Sequence, residues 1–215
     1  MTPSATAFPC AAVLLAAGAA RRMGGRPKLL LPIAGESLLR RAVRLARQVQ
    51  ADPIIVVLGC HAEPYCAELA GLTVTLVHNP DWRDGLGGSL RCGVAALPTD
   101  WPPQALFFVL TPDQPLVSAK QLLALRRLLE AHPSATAAAC AYAGTVGVPA
   151  LFRYVWRARL ATAHGEVGAR RYLAAYQGEV ATLSFPDGAC DIDTEEDYRA
   201  ALNRLSALWH GPTNT

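Results

Sequence analysis

Four cations follow a short apolar run near the start of this sequence, in the order that a phosphate-binding loop requires. The run includes residues 13–15, which are strand formers, and Gly18 follows it as a turn residue. The cations come within ten residues of that glycine and are Arg21, Arg22, Arg26 and Lys28. Backbone amides at a glycine turn, combined with fixed cations, can bind a triphosphate. The segment is therefore interpreted as a strand that leads into a phosphate-binding loop.

Two common nucleotide motifs do not fit this loop. A dinucleotide fingerprint needs G-x-G-x-x-G, but the next glycines after Gly18 are Gly24 and Gly25. The P-loop needs glycine before its lysine and serine or threonine after it, whereas Lys28 follows a proline and precedes Leu29. The loop therefore belongs to neither class.

A secretion signal is an alternative interpretation of the apolar run at 11–20. A signal peptide places its cations before the apolar run, but residues 1–10 contain no Lys or Arg and the positive charges follow the run. The charge order therefore argues against secretion. No other apolar run approaches the ~20 residues of a membrane span, so no membrane association is expected.

Composition predicts an enzyme-sized α/β chain. The 215 residues are 52% hydrophobic and 17% charged, which is enough for a sizeable core in one large domain or two small ones; a single domain, 1–215, is predicted. The net charge is +3, and no long basic stripe with interleaved aromatic residues exists, so no nucleic-acid partner is expected. The six cysteines are scattered without a C-x-x-C pair, which favours the cytoplasm.

Strand-like and helix-like segments alternate along the chain, which predicts a three-layer α/β/α fold around a mostly parallel, twisted sheet. Predicted strands after the first are 54–58, 73–77 and 105–110, with a further strand at 135–141. Ser37 is predicted to cap a helix with an apolar stripe that ends at residue 49. Further helices are predicted at 62–69, 89–97 and 118–132, the last one with a Ser118-x-x-Gln capping box.

A carboxylate follows the predicted strand 105–110, in the sequence TPDQP at 111–115. Ligands of open α/β sheets bind in the crevice beyond the carboxyl ends of the strands, so Asp113 is a candidate metal ligand. The alternative is that Asp113 only forms an Asx turn between two prolines. Mg²⁺ takes one or two protein carboxylates and completes its coordination with phosphates and water, so the preceding phosphate-binding loop favours the metal interpretation.

The second half is less regular. In AGTVGVPALF, 143–152, Gly144, Gly147 and Pro149 predict a chain that turns close to a ligand or to the edge of the sheet. The segment HGEVGARRYL, 164–173, contains an isolated Glu166, and its paired arginines open a helix. By itself this segment is equally well described as an ordinary helix–turn–helix connection.

The acidic segment DIDTEEDY, 191–198, combines a cap with two spare carboxylates. Thr194 is predicted to cap the last helix together with Asp197, and the other two acids near the helix start suit its dipole. Asp191 and Asp193 have no such local role, and one of them could face Asp113 across the crevice to form a magnesium site. Asp193 is assigned as the ligand, and a contribution from Asp191 is left open.

Five motifs in order resemble the molybdenum cofactor cytidylyltransferase family and related small nucleotidyltransferases. They are LAAG with Arg22-Met23-Gly24 and Lys28, NPDW at 79–82 with GSLR at 88–91, DQP at 113–115, GEVGAR at 165–170, and DIDTEEDY. The LAAG form without Asp before Lys28 is more similar to the cytidine branch than to the guanine branch. The sequence departs from the family pattern at Pro112, Glu166, Val148 and Ala20, the last of which replaces a serine.

The resemblance implies a Rossmann-like fold of the nucleotide-diphospho-sugar transferase type, with a nucleotide-binding half at 11–115 and an acceptor-binding half at 116–208. The tail at 209–215, which contains a glycine and a proline, is predicted to fray. The nucleotide-binding residues implied are Leu15, Ala16, Ala17, Gly18, Arg22, Lys28, Asn79 and Ser89. Arg22, Lys28 and Asp113 are the implied catalytic residues. Gly147, Glu166 and Arg170 would bind the acceptor. Asp113 and Asp193 would bind Mg²⁺.

The implied activity is transfer of CMP from CTP to the terminal phosphate of molybdopterin, which gives molybdopterin cytosine dinucleotide and pyrophosphate. The product would serve a molybdenum hydroxylase of the xanthine-dehydrogenase type, through transient contact with that enzyme or its maturation factor. Alternatives are a guanylyltransferase that uses GTP and a nucleotidyltransferase for another small phosphorylated acceptor. A protein that only binds and escorts the cofactor is the non-enzymatic alternative.

Overall fold

The computed structural model describes residues 8–210, which form nine strands and seven α-helices. The strands are β1 (Cys10–Ala16), β2 (Pro32–Ile33), β3 (Glu36–Ser37), β4 (Ile54–Leu58), β5 (Thr75–His78), β6 (Leu106–Leu110), β7 (Ala137–Tyr142), β8 (Thr145–Arg153) and β9 (Val180–Ser184). The helices are α1 (Leu38–Gln48), α2 (Ala62–Glu68), α3 (Leu86–Ala95), α4 (Ala119–Ala131), α5 (Trp156–Leu160), α6 (Ala169–Ala175) and α7 (Glu195–His210).

Seven of the strands form one sheet in the order β5-β4-β1-β6-β8-β7-β9, and β2 with β3 forms a separate small hairpin. Every neighbouring pair in the large sheet is parallel except the two pairs that involve β8. The central strands β1, β4 and β6 are buried along their whole length, which their continuous apolar sequences predict for a sheet covered on both faces. The predicted mostly parallel α/β sheet is confirmed.

Helices cover both faces of this sheet and divide the core into two layers. Leu14 of β1 belongs to the layer under α1, α2, α4 and α7, whereas its neighbour Val13 belongs to the layer under α3, α5 and α6. This alternation follows from the two-residue period of a strand. The three-layer arrangement is therefore the one predicted. No helix within residues 8–210 is long and apolar enough to cross a membrane.

The prediction that 143–152 turns at the edge of the sheet is wrong, and its alternative, a turn close to a ligand, stays a prediction. Only the first residues of this segment turn, and the rest continues as β8, which lies between β6 and β7 rather than at an edge of the sheet. The ladder with β7 shifts register, since Ala139 faces Ala150 and Cys140 faces Gly147. Pro149 lies at this irregularity, where its missing N–H costs no ladder hydrogen bond.

Other differences are smaller. Helix α3 begins at Leu86 rather than at residue 89. The sequence placed the start too late because the first turn contains two glycines, which have low intrinsic helix propensity. Strand β5 begins at Thr75, two residues later than predicted, and the edge strand β9 was not predicted. The predicted tail at 209–215 begins inside α7, which runs to His210, and residues 211–215 lie outside the described part of the chain.

Two of the three predicted helix caps form. The Ser37 hydroxyl accepts a hydrogen bond from the Arg40 amide at 3.1 Å, and the Thr194 hydroxyl accepts one from the Asp197 amide at 3.1 Å. Asp197 returns the interaction, because its carboxylate accepts from the Thr194 amide at 2.8 Å, which completes a capping box. Ser118 precedes α4 as predicted, but its hydroxyl bonds to the Gln121 side chain and not to a backbone amide.

Gly93 of α3 sets the distance between this helix and the sheet. A Cβ atom at residue 93 would lie 2.4 Å from Cγ1 of Val13 and 3.0 Å from Cγ2 of Val57, both fully buried. We expect Gly93→Ala to lower the free energy of unfolding by about 1–3 kcal/mol, as overpacking does in other cores. Urea denaturation measures this. Gly178→Ala is the control, because an added Cβ there meets nothing within 4 Å, and equal stability of the two variants would contradict the packing argument.

Candidate functional site

A cavity of about 730 Å³ lies beyond the carboxyl ends of β1 and β6. Of the thirteen residues that the sequence assigns to nucleotide, acceptor or metal, twelve line this cavity. They are Leu15, Ala16, Ala17, Gly18, Arg22, Lys28, Ser89, Asp113, Gly147, Glu166, Arg170 and Asp193. The structure therefore brings together residues that are far apart in the sequence, although their individual roles remain predictions.

The loop after β1 turns in a different way from the one predicted. Gly18 has no positive φ, and the left-handed residues are Ala20 at 49°, Gly24 at 67° and Gly25 at 73°, on either side of a 3₁₀ turn at Arg21–Met23. A Cβ on Gly18 would meet nothing within 4 Å, so this glycine leaves the backbone accessible from the cavity. Gly18 therefore leaves space beside the backbone and does not form the turn.

Close backbone packing fixes the start of this loop. A Cβ on Gly59, just after β4, would lie 2.6 Å from the Ala17 carbonyl oxygen and 2.7 Å from Cβ of Trp82. The Ala17 carbonyl also accepts a hydrogen bond from the Cys60 amide at 3.2 Å. Trp82 lines the cavity, and the Arg83 guanidinium lies 4.3 Å from the centre of its ring. The first loop is thus held between the ends of β4 and β5.

Three oxygen atoms surround the ammonium group of Lys28. Its Nζ donates hydrogen bonds to Oδ2 of Asp113 at 2.7 Å, to the Ile192 carbonyl at 2.8 Å and to Oδ1 of Asp193 at 2.9 Å. Burial opposes the charge on Lys28, but the Asp113 and Asp193 carboxylates outweigh it and raise the pKa of the lysine above its ordinary value. Lys28 therefore remains a cation, held at the centre of the cavity.

Local structure positions this lysine. Lys28–Leu30 form a 3₁₀ turn, and the Leu29 amide donates to the hydroxyl of Tyr65 from α2 at 3.4 Å. Burial raises the pKa of Tyr65 to about 12, so the phenol stays neutral. Tyr65 lines the cavity and was not identified from the sequence, since nothing in the pattern of α2 indicates which of its residues reaches the loop.

Backbone pairing explains why Asp113 and Asp193 meet. The Ile192 amide donates to the Asp113 carbonyl at 3.0 Å, which joins the segment before α7 to the end of β6. Asp193 also uses its second oxygen, since Oδ2 accepts from Nη1 of Arg22 at 3.1 Å. This carboxylate therefore bridges the two cations that the sequence assigns to the triphosphate.

Asp191 also lines the cavity, beside the same group of charges. Enclosure of its carboxyl group and the charges on Asp113 and Asp193 raise the pKa of Asp191 to about 6, although the residue as a whole is exposed. Arg22 and Lys28 pair with Asp113 and Asp193, and Asp191 forms no ion pair with either cation within residues 8–210. Asp191 is thus a carboxylate of the cavity wall that lies beside the Lys28 cluster without a salt bridge to it.

Asn79 has a different position from the one expected of a nucleotide ligand. It is buried and does not line the cavity, and its side-chain amide donates to the Ser89 hydroxyl at 3.0 Å. Its oxygen accepts from the Asp81 amide at 3.1 Å. Both ends of the side chain are therefore occupied, one by the loop after β5 and the other by α3. Asn79 orients Ser89, which does line the cavity.

The start of α3 and the segment 164–168 contact each other through backbone atoms at glycine positions. The Gly87 amide at the start of α3 donates to the Gly165 carbonyl at 2.8 Å. A Cβ on Gly87 would lie 2.7 Å from three backbone atoms of His164, and one on Gly85 would lie 2.5 Å from the Gly165 carbonyl oxygen. The segment 164–168 is therefore both a connection between α5 and α6 and a wall of the cavity that packs against the start of α3.

Tyr142 lines the cavity and is held against two glycines. A Cβ on Gly147 would lie 2.7 Å from the Tyr142 hydroxyl, and one on Gly188 would lie 2.6 Å from its ring. The hydroxyl donates to the Val148 carbonyl at 2.7 Å, and the Gln114 side-chain amide donates to the same carbonyl at 3.2 Å. This network fixes an aromatic ring in the wall of the cavity.

A known family of nucleotide-using domains matches most of this chain. The family model described as "MobA-like NTP transferase domain" matches residues 12–180, which include the first loop, Lys28 and Asp113. The chain belongs to the MobA-like NTP transferase family. The predicted family resemblance is confirmed at this level, and nucleotidyl transfer is the chemistry of the family.

Two curated relatives illustrate the range of this MobA-like family. Nicotine blue oxidoreductase of Paenarthrobacter nicotinovorans is 32% identical over 206 residues, which are 90% of this chain and 98% of that protein. The bifunctional protein GlmU of Mycolicibacterium smegmatis is 30% identical over 201 residues, which are 91% of this chain but 40% of GlmU. This MobA-like chain thus spans nearly the whole first relative and well under half of the second.

A solved structure supports the same fold for this MobA-like chain. The crystal structure of Rv0371c from Mycobacterium tuberculosis H37Rv is 31% identical, with a TM-score of 0.74, and the match covers 92% of this chain and 100% of Rv0371c. A crystal structure of Rv0371c in complex with manganese matches with 30% identity and a TM-score of 0.69, over 91% of this chain and 98% of Rv0371c. A divalent metal is therefore bound within this group of structures.

The donor set around Lys28 is suited to such a cation. Two carboxylates and one carbonyl, from Asp113, Asp193 and Ile192, converge on one positively charged group, and oxygen is the ligand that Mg²⁺ and Mn²⁺ prefer. Among residues 8–210 no group of three or more His, Cys, Asp or Glu side chains is arranged to hold a metal. A pair of carboxylates is nevertheless sufficient for Mg²⁺ when phosphates and water supply the remaining ligands.

Several cavity residues of this MobA-like chain were not assigned from the sequence. Tyr65, Trp82, Gln114 and Tyr142 all line it. Trp82 lies in the quoted NPDW motif, so the motif itself was the available signal. Gln114 follows the assigned Asp113 directly. The two tyrosines carry no comparable signal, because only the packing of α2 and of β7 brings them to the cavity.

Proposed function

We propose that this protein transfers CMP from CTP to the terminal phosphate of a molybdopterin acceptor, with pyrophosphate as the second product. The observation that carries the proposal is the Lys28 cluster: a lysine, Arg22 and two carboxylates at one point of a cavity that also contains the accessible backbone at Gly18. Such a group of charges suits a triphosphate with a divalent cation. The family assignment supports the reaction type.

In this reaction a phosphate oxygen of the acceptor attacks the α-phosphorus of CTP. A new P–O bond forms, and the bond from the α-phosphorus to the oxygen that leads to the β-phosphorus breaks, so that pyrophosphate takes the electron pair. No covalent enzyme intermediate is needed. The protein contributes positioning and neutralisation of charge, with the backbone at Gly18, Arg22 and Lys28 on the phosphates.

We assign Asp113 and Asp193 as the residues that would hold Mg²⁺. When bound, the ion would neutralise charge on the phosphates and on the departing pyrophosphate. Both carboxylates now face Lys28, so the ammonium group lies where a cation is favoured. Arg22 and Lys28 are the remaining proposed catalytic residues.

We further propose a division of labour within a single domain, 1–215. Residues 11–115 would bind the nucleotide, with Leu15–Ala17 backbone and Ser89 on that side, and 116–208 would bind the acceptor through Gly147, Glu166 and Arg170. The molybdopterin acceptor and transient contact with a molybdenum hydroxylase are supported by the motif resemblance alone. The scattered cysteines support a cytoplasmic location.

A second candidate function comes from the relative named an oxidoreductase, which matches over 90% of this chain. A nicotinamide dinucleotide also carries phosphates, and the first loop offers them backbone and cations. The Lys28 cluster favours nucleotidyl transfer, because a hydride donor has no need for two carboxylates at its phosphates. The two functions differ in an observable product, since only one of them oxidises NADH or NADPH.

Pyrophosphate release by the purified protein tests the proposal. The protein would be incubated with Mg²⁺, molybdopterin and one of CTP, GTP, ATP or UTP, with NADH and NADPH oxidation followed in parallel. We expect release with CTP and formation of a cytosine dinucleotide. Release with GTP would retain the reaction and make the protein a guanylyltransferase.

Two further results would change the assignment. Nucleotide binding without turnover would indicate another phosphorylated acceptor, which a screen of such metabolites would identify, or an escort protein if that screen also fails. Oxidation of NADH or NADPH without pyrophosphate release would favour the oxidoreductase function.

A further inference from the structure

Asp193 uses both of its carboxylate oxygens on the two cations assigned to the nucleotide. Oδ1 accepts from Nζ of Lys28 at 2.9 Å and Oδ2 accepts from Nη1 of Arg22 at 3.1 Å. The carboxylate therefore has the contacts that two phosphate oxygens would have. An anion of the protein occupies the place where the proposed function puts an anion of the substrate.

The environment of these contacts determines how strongly they oppose a ligand. The Lys28 side chain is 13% exposed and that of Asp113 is 22% exposed, so their pair is largely shielded from solvent. Asp193 is 44% exposed and Arg22 is 75% exposed, so the outer contact is weak and open to exchange. Asp193 is thus the movable part of the cluster, and Lys28 with Asp113 is the fixed part.

Charge accounting gives the consequence. Arg22 and Lys28 carry two positive charges, and Asp113 with Asp193 carry two negative charges, so these four side chains balance one another, and the Asp191 carboxylate lies beside them without pairing with either cation. A triphosphate without a metal would have to displace Asp193 and leave two carboxylates beside a highly charged anion, which Coulomb repulsion opposes. A divalent cation on the two carboxylates removes that repulsion and frees both basic residues for phosphate.

We propose that Asp193 makes the site selective for the metal complex of the nucleotide and excludes the metal-free nucleotide. The proposal rests on the proposed function in so far as it takes the ligand to be a nucleoside triphosphate. The free protein is held in a self-neutralised state by Asp193, and metal and polyphosphate bind with positive coupling. The selectivity arises because one carboxylate competes with phosphate when no metal is present and binds the metal when it is.

The alternative is that the salt bridges of Asp193 with Arg22 and Lys28 have no effect on which form of the nucleotide binds. In that case the loss of Asp193 would raise anion affinity only through the change in net charge, as the loss of any nearby carboxylate would. Asp191 provides the matched control for this effect. It lines the same cavity two residues away, and it forms no hydrogen bond or ion pair with Arg22 or Lys28 in the described residues.

The experiment measures binding of inorganic tripolyphosphate, and separately of CTP, by isothermal titration calorimetry in excess EDTA. We expect Asp193→Asn to bind metal-free tripolyphosphate about tenfold more tightly than the parent, a coupling in the usual range. Asp191→Asn should stay near the parent. With Mg²⁺ in place of EDTA, CTP affinity should rise strongly in the parent and only slightly in Asp193→Asn.

Equal affinity of Asp193→Asn and the parent for metal-free tripolyphosphate would overturn the proposal, and so would an equal gain in Asp191→Asn. Thermal unfolding verifies that each variant is folded, and Asp193→Ala, which removes any residual side-chain contact with Lys28, gives a second measurement. Failure of the proposed function has a different signature: no nucleotide supports pyrophosphate release, while the tripolyphosphate comparison still gives its own answer.

Discussion

Replacing Lys28 with alanine is expected to lower kcat/KM for nucleotidyl transfer by about 10²–10³-fold, the usual cost of losing one group that stabilises charge in the transition state. Lys28 is the most enclosed cation of the cavity, with its ammonium group within 2.9 Å of three oxygen atoms. Arg22 also contacts Asp193, but its side chain is 75% exposed against 13% for Lys28, so we expect it to replace the enclosed ammonium group poorly. Steady-state pyrophosphate release with CTP, Mg²⁺ and molybdopterin measures the effect.

The matched control for this prediction is Arg26→Ala. Arg26 lies in the same segment and pairs with Glu195 at 3.4 Å, but it does not line the cavity. Its loss should leave kcat/KM nearly unchanged. Thermal unfolding verifies that the Lys28→Ala variant is folded, since it leaves the Asp113 carboxylate, 22% exposed, without its closest partner. Equal activity of the two variants would remove Lys28 from the proposed mechanism.

The sheet was largely predictable because its central strands are simple. In β1, β4 and β6 each residue is buried, so an uninterrupted apolar run is the whole signal. Strand β8 gave no such signal, since Gly147 and Pro149 interrupt it, and its place between β6 and β7 depends on an irregular ladder. A sequence pattern records what each residue prefers locally, whereas this strand is stabilised by its two neighbours.

The sequence indicated which charged residues form the site, but it did not indicate all of the contacts between them. Asp113 and Asp193 were expected to approach each other, but Lys28 bridges them across 85 and 165 residues of sequence. Asn79 shows the opposite case: its motif indicated a ligand, and the structure gives it a buried supporting position. The sequence shows which residues are charged or polar. Packing of the helices and strands determines which of these side chains reach the cavity, as it does for Tyr65.

Asp113→Asn is expected to lower kcat/KM by about 10²–10³-fold as well, and for a different reason from Lys28→Ala. Asparagine preserves shape but removes the charge that would attract the divalent cation, and it weakens the closest contact of Lys28, which is 2.7 Å long. The loss should therefore be accompanied by a higher Mg²⁺ concentration for half-maximal rate. A titration of pyrophosphate release against Mg²⁺ at saturating CTP measures both quantities.

Asp187→Asn is the control for Asp113→Asn. Asp187 pairs with Arg204 and does not line the cavity, so its substitution changes net charge by the same amount without touching the site. The Asp113 backbone contact with the Ile192 amide does not involve the side chain, so the join between β6 and the segment before α7 should survive the substitution. A parental Mg²⁺ requirement in Asp113→Asn would place the metal elsewhere, because a carboxylate that binds the cation cannot become neutral without weakening that interaction.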